Sequence, residues 1–147
     1  MELTRALEDY FLRALALDPT NPVITLSLGL GYIHYGLKRQ SVNRQYLILQ
    51  GLSFLQQHAA LLPPDRSDEA NYALGRTFQL LGLQNLALGY YKRVTPLEEP
   101  GGMGREGAAR EDGERVVRLA AAYNSYVSYV MSGDLEAAKG VVGRLVL

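Results

Sequence analysis

Side chains able to do chemistry are few and scattered in this 147-residue chain. His34 and His58 are its only imidazoles, and neither stands at metal-ligand spacing from a second histidine or a carboxylate. Two isolated histidines do not make a Ser/His/Asp arrangement either, so both read as packing or surface residues. There is no cysteine, which removes disulfides, thiolate zinc sites and thiol redox chemistry. Gly29-Leu30-Gly31 lacks the third glycine of a dinucleotide fingerprint and lies within a helical pattern. What remains is binding chemistry. Lys38, Arg39 and Arg44 form a basic cluster that fits a solvated helix end, an acidic partner segment or a DNA backbone. Ten tyrosines and no tryptophan supply the aromatic groups, and aromatic and Arg side chains are the usual interface anchors. The expectation is a binding module without catalysis, cofactor or metal.

The bulk numbers agree with that class. Lys+Arg and Asp+Glu balance at 15 each, whereas a dedicated nucleic-acid binder carries a basic excess. Hydrophobic residues make up 48%, enough for a core, and no apolar run approaches the ~18 residues of a membrane span. The stretch Met1 to Asp9 is charged and amphipathic, unlike a signal peptide.

The elements that must hold these side chains follow a repeat. With Asn71 at position 4 of a 34-residue unit, Leu74, Gly75, Phe78, Gly82, Ala87 and Tyr91 fall at 7, 8, 11, 15, 20 and 24. Leu28, Gly29, Tyr32 and Gly36 fall at 7, 8, 11 and 15 of an earlier copy, and Gly133, Ala138, Val142 and Leu145 at 15, 20, 24 and 27 of a later one. Gly inside a helix costs about 1 kcal/mol relative to Ala, so two glycines at one repeat position call for a close helix approach. This spacing resembles the tetratricopeptide (TPR) repeat. It implies an all-α, TPR-type helical-repeat solenoid of antiparallel helix pairs wound into a right-handed superhelix.

Taken along the chain, one TPR domain spans 1–147. Residues 3–20 read as the second helix of an incomplete repeat, with Leu3, Leu7, Phe11, Ala14 and Leu15 on one face and Pro19 ending it. That makes the chain look like a fragment of a longer array. Residues 21–64 form a repeat that Asn21-Pro22 starts as N-cap and first helical residue. Gly29 and Gly75 stand 46 residues apart, 12 more than one repeat, so an insertion lengthens one or both helices here. Residues 67–95 are the best-matched repeat. Residues 96–113 carry Pro96, Pro100 and five glycines and read as a flexible loop. Residues 114–147 are the terminal repeat, with helices at 114–132 and 135–147. Tyr126 replaces the small residue at its position 8, so its first helix should pack more loosely or in a shifted register.

In TPR proteins the first helix of each repeat lines a concave groove. The resemblance places Leu26, Leu30 and His34 there in one repeat, Tyr72, Arg76 and Gln79 in the next, and Tyr123, Val127 and Met131 in the last. Tyr72, Arg76 and Tyr123 lead as protein-binding anchors, although inter-repeat packing accounts for the tyrosines equally well. A generic TPR adaptor binding a peptide or helix in this groove is the alternative. A carboxylate clamp for chaperone C-termini needs several groove cations, and Arg76 stands alone.

A closer resemblance lies in Asn43-Arg44 followed by Ile48-Leu49-Gln50-Gly51-Leu52-Ser53-Phe54-Leu55, and in Tyr72-Ala73-Leu74-Gly75-Arg76-Thr77-Phe78-Gln79-Leu80-Leu81-Gly82-Leu83. Asn21 to Leu26, Leu86 to Val94 and Ala122-Tyr123-Asn124 extend it over most of the chain outside the Gly-rich stretch. These segments resemble the C-terminal TPR array of the large TPR-containing subunit of TFIIIC, a general transcription factor of RNA polymerase III. The resemblance implies a nuclear scaffold that holds neighbouring TFIIIC subunits and helps recruit TFIIIB. In that family an N-terminal array carries much of the TFIIIB recruitment, so contact with other TFIIIC subunits is the firmer expectation for this segment. Direct nucleic-acid or membrane binding is not expected. Helix faces that neighbouring repeats would cover favour self-association of the isolated chain.

Overall fold

The computed structural model describes the backbone of residues 2–38, 42–94 and 108–145, and the side chains of 9–38, 42–94 and 112–145. The described residues are all-α: seven α-helices and one 3₁₀ turn at Pro64–Arg66, with no strand among them. They are α1 Glu2–Leu17, α2 Pro22–Gly36, α3 Arg44–Leu61, α4 Ser67–Leu80, α5 Gln84–Tyr91, α6 Ala108–Ser132 and α7 Leu135–Leu145. The chain divides into two compact units, Met1–Pro64 and Asp65–Leu147.

In the first unit α2 packs along α3 and touches α1. Asn21 caps α2, its side-chain oxygen accepting from Val23 N at 3.0 Å while its amide donates to Asp18 Oδ2 at 3.0 Å. Pro22 then takes the first helical position, where its missing N–H costs nothing. Phe11, Ala14 and Leu15 of α1 are half-buried, the face their spacing predicts. The interhelical core is Leu28, Ile33 and Leu55. Tyr32 stacks on Phe54 beside it, their ring centroids 5.7 Å apart. At the centre the two backbones nearly touch. A Cβ on Gly29 would stand 2.7 Å from Leu55 Cγ, and one on Gly51 would stand 2.8 Å from the Gly29 carbonyl oxygen. Real Cβ atoms do not approach so closely, so these glycines let the helices cross at a separation no other residue permits. Of the two helices, the second is the long one: α3 has 18 residues, against 8 in α5 of the other unit.

In the second unit α4 pairs with α5, α6 pairs with α7, and α6 also packs on α4 and α5. Ala87, Tyr91, Val94 and Ala121 form the core, with Tyr72 and Phe78 against it. The ring of Tyr91 lies in the notch left by Gly75, where a Cβ would meet its Cε1 at 2.6 Å. Gly82 (φ 79°) and Gly133 (φ 82°) end α4 and α6 in the left-handed conformation that favours glycine. Asp134 then caps α7, its Oδ1 accepting from Ala137 N at 3.1 Å.

Two sequence expectations need correction. α6 begins at Ala108, so residues 108–113 are helical rather than loop. Ala108, Ala109, Arg110 and Glu111 are strong helix formers, and the composition argument holds only up to them. Residues 96–107, the rest of that expected loop, lie outside the described residues. The second correction concerns α7, which buries Val141 (8% exposed) while Val142, expected at a core position, is 39% exposed. α6 carries Tyr126 where α4 carries Gly75, so α7 has no notch to enter and meets α6 with the neighbouring residue.

Candidate interaction surface

On α2, Leu26, Leu30 and His34 recur every four residues and share a helix face. Leu26 and Leu30 are half-buried and His34 is exposed. The other histidine is structural. His58 is buried near the end of α3, and its Nδ1 donates to the Pro22 carbonyl oxygen at 2.8 Å. A carbonyl only accepts, so Nδ1 carries the ring proton, and the bond ties the C-terminal end of α3 to the start of α2. Of the basic cluster, Lys38 and Arg44 are exposed and Arg39 lies outside the described residues. The Lys38 ammonium rests 5.3 Å from the centre of the Tyr35 ring.

In the second unit, α4 and α6 are joined by a row of polar contacts. Arg118 Nε donates to Asp68 Oδ2 at 3.1 Å, and the same guanidinium reaches Glu114 Oε2 at 3.5 Å. Asn124 Nδ2 donates to the Tyr72 hydroxyl at 3.4 Å, and Gln79 Nε2 to Ser128 Oγ at 3.4 Å. Gln79 Oε1 in turn accepts from the Tyr91 hydroxyl at 2.9 Å and from Arg76 at 3.1 Å. Burial pushes the Tyr91 hydroxyl above the ordinary phenol range, and the neighbouring Tyr72 adds to the effect; Arg76 and Asn124 oppose it. Tyr91 therefore stays a hydrogen-bond donor through any physiological pH.

The nine residues that the repeat spacing assigns to a groove thus fall into different situations. Tyr72 and Gln79 are half-buried and spend their polar atoms on inter-helix bonds. Arg76 is exposed. On α6, Tyr123 (61%) and Met131 (70%) project into solvent and Val127 is half-buried. Exposed Val116, Leu119 and Val130 continue the row along α6. These three were missed by the repeat mapping. The signal was present as an apolar recurrence at 116, 119, 123, 127 and 130, which is helical spacing over four turns. Among the described residues no group of three or more His, Asp or Glu stands where it could share a metal ion. No described helix is long and apolar enough to cross a membrane.

Comparison with known proteins gives that surface a context. No family model matches the chain. The chain is 35% identical over 136 residues to transcription factor tau subunit sfc4 of Schizosaccharomyces pombe, a match covering 88% of the chain and 13% of that protein. It is 35% identical over 124 residues to the transcription factor tau 131 kDa subunit of Saccharomyces cerevisiae, covering 82% of the chain and 11% of the yeast protein. Against human general transcription factor 3C polypeptide 3 it is 34% identical over 87 residues, 59% of the chain and 10% of the human protein. The chain thus spans about an eighth of the length of the first of these relatives. The resemblance read from the sequence holds: over most of its length the chain is homologous to one segment of the TFIIIC subunit that these three proteins represent.

Proposed function

We propose that the chain is a non-enzymatic protein-interaction scaffold acting within a TFIIIC-type factor in the nucleus. In this reading it holds neighbouring TFIIIC subunits and supports recruitment of TFIIIB. The observation that carries the reading is the 35% identity over 136 residues to the fission-yeast tau subunit. The fold reading is a TPR-type solenoid segment. Three features support it: the in-phase repeat spacing, the Gly75 notch filled by Tyr91, and left-handed glycines ending both α4 and α6. Arg76, Tyr123 and Met131, the exposed residues of the second unit assigned to the groove, are its binding anchors.

Affinity capture with the 147-residue chain, against the purified other subunits of TFIIIC, tests the reading. Wild-type chain should retain at least one subunit, and Arg76→Ala with Tyr123→Ala should release it while the helical circular dichroism stays intact. Capture of no TFIIIC subunit would remove the scaffold reading. Capture undiminished in the double variant would remove the groove assignment alone.

A further inference from the structure

From Pro19 to Pro64 the chain contains no aspartate or glutamate. The side chains in that stretch that are charged at neutral pH are Lys38, Arg39 and Arg44, all at the connection between α2 and α3. The rest of the chain carries 12 Lys+Arg against all 15 carboxylates, so the zero net charge conceals a segregated distribution. Structure brings the two ends of this connection together: a Cβ on Gly36 would stand 3.3 Å from the Arg44 carbonyl oxygen. Three apolar residues follow on the same end. Val42 is 80% exposed, Tyr46 60% and Leu49 67%; Tyr46 and Leu49, three residues apart, share a face of α3, and Val42 stands just before that helix. Asn43, between Val42 and Arg44, holds φ 65°, a left-handed conformation that Asn tolerates better than other side chains. This end of the hairpin therefore exposes three apolar side chains and the two cations Lys38 and Arg44, with no carboxylate on either helix to neutralise them.

We infer that the α2–α3 end is a docking surface for an acidic, amphipathic helical segment of a partner protein. Carboxylates of that segment pair with Lys38 and Arg44, and its apolar face covers Val42, Tyr46 and Leu49. Charge complementarity selects this occupant over two others. A DNA duplex offers phosphates but leaves Val42 and Leu49 in water, and two described cations supply little of the counterion release that drives such binding. A second copy of the chain, docked face to face about a two-fold axis, brings Lys38 and Arg44 against their own equivalents. The surface uses none of the groove residues assigned above.

The test is a selection of phage-displayed random peptides of about 16 residues, long enough for ~24 Å of helix, on the 147-residue chain. Enriched peptides should carry more Asp and Glu than Lys and Arg, interspersed with Leu, Ile or Phe. Synthesised with a fluorophore, they should bind wild type with an affinity that falls with salt. They should lose about tenfold or more, roughly 1.4 kcal/mol, in Lys38→Glu/Arg44→Glu and again in Tyr46→Ala/Leu49→Ala. Both pairs replace exposed residues, and unchanged circular dichroism confirms that the fold is kept. No enrichment, enrichment without an acidic excess, or binding indifferent to either variant pair overturns the proposal. So does displacement of the peptides by a 20-base-pair duplex (about two helical turns), or a chain dimer that Leu49→Ala dissociates.

Discussion

Replacing Gly51 with Ala sets two physical effects of opposite sign against each other. A mid-helix Gly→Ala change favours the helix by about 1 kcal/mol. At Gly51 the new methyl would meet the Gly29 carbonyl oxygen at 2.8 Å and Ile33 Cγ1 and Cδ1 at 2.7 and 2.9 Å. Ile33 is 1% exposed, packed in the core between the two helices, and the carbonyl belongs to the backbone of α2. The helices must separate, which places the cost at the upper end of the ~1–3 kcal/mol range for overpacking. Gly51→Ala should therefore be net destabilising, by about 2 kcal/mol. Gly31 provides the internal control. It lies in α2, two residues from Gly29, and a Cβ there meets nothing within 4 Å. Gly31→Ala should stabilise by close to the full ~1 kcal/mol. Urea denaturation followed by circular dichroism, with amide exchange resolved to α2 and α3, reads both changes. If Gly51→Ala proves as stabilising as Gly31→Ala, the close crossing of α2 and α3 is wrong and the steric reasoning with it.

Three further outcomes follow from the second unit. Arg118→Gln removes the cation from an Asp68 carboxylate whose side chain is 10% exposed, and should cost about 1.5–3 kcal/mol; pairing it with Asp68→Asn should recover part of that loss in a double-mutant cycle. Gly82→Ala should cost about 1–2 kcal/mol, since φ is 79° there, although no atom obstructs the methyl; a thermal melt reads this. Tyr91 gives a pH dependence. Its folded-state pKa lies above the ordinary 10.0 because the ring is buried, so its stabilising contribution is complete below pH 10 and declines as pH rises, when the unfolded chain ionises first. The decline has a limiting slope of about 1.4 kcal/mol per pH unit. The stability gap between wild type and Tyr91→Phe should narrow above pH 10 in denaturant titrations, and a constant gap would contradict the burial argument.

Much of the second unit was legible because its signals are local. Gly75, Gly82, Ala87 and Tyr91 stand where a notch, a turn and two core contacts need them, and each is found in that place. Asn21-Pro22 was equally readable, since a cap depends on neighbouring residues alone. The 12 residues beyond one repeat between Gly29 and Gly75 left open which helix is lengthened, and the length of α3, 18 residues against 8 in α5, became visible only in coordinates. Gly51 belongs to the Leu49-Gln50-Gly51 motif, but nothing there marks it as the partner of Gly29, since no sequence spacing reveals a contact between two helices. The polar row from Asp68 to Ser128 was hidden for the same reason: its partners lie about 50 residues apart. Val142 was misplaced because the repeat was extrapolated past Tyr126, where the notch it relies on is absent.

Direct binding to the other TFIIIC subunits, measured one at a time by calorimetry with the purified chain, tests the central claim most plainly. The scaffold account predicts a one-to-one complex with at least one of them, at a Kd in the micromolar range or tighter, about −8 kcal/mol. It also predicts a weakening of about tenfold or more for Arg76→Ala/Tyr123→Ala. Absence of heat with every subunit, in a chain shown to be folded, would contradict it.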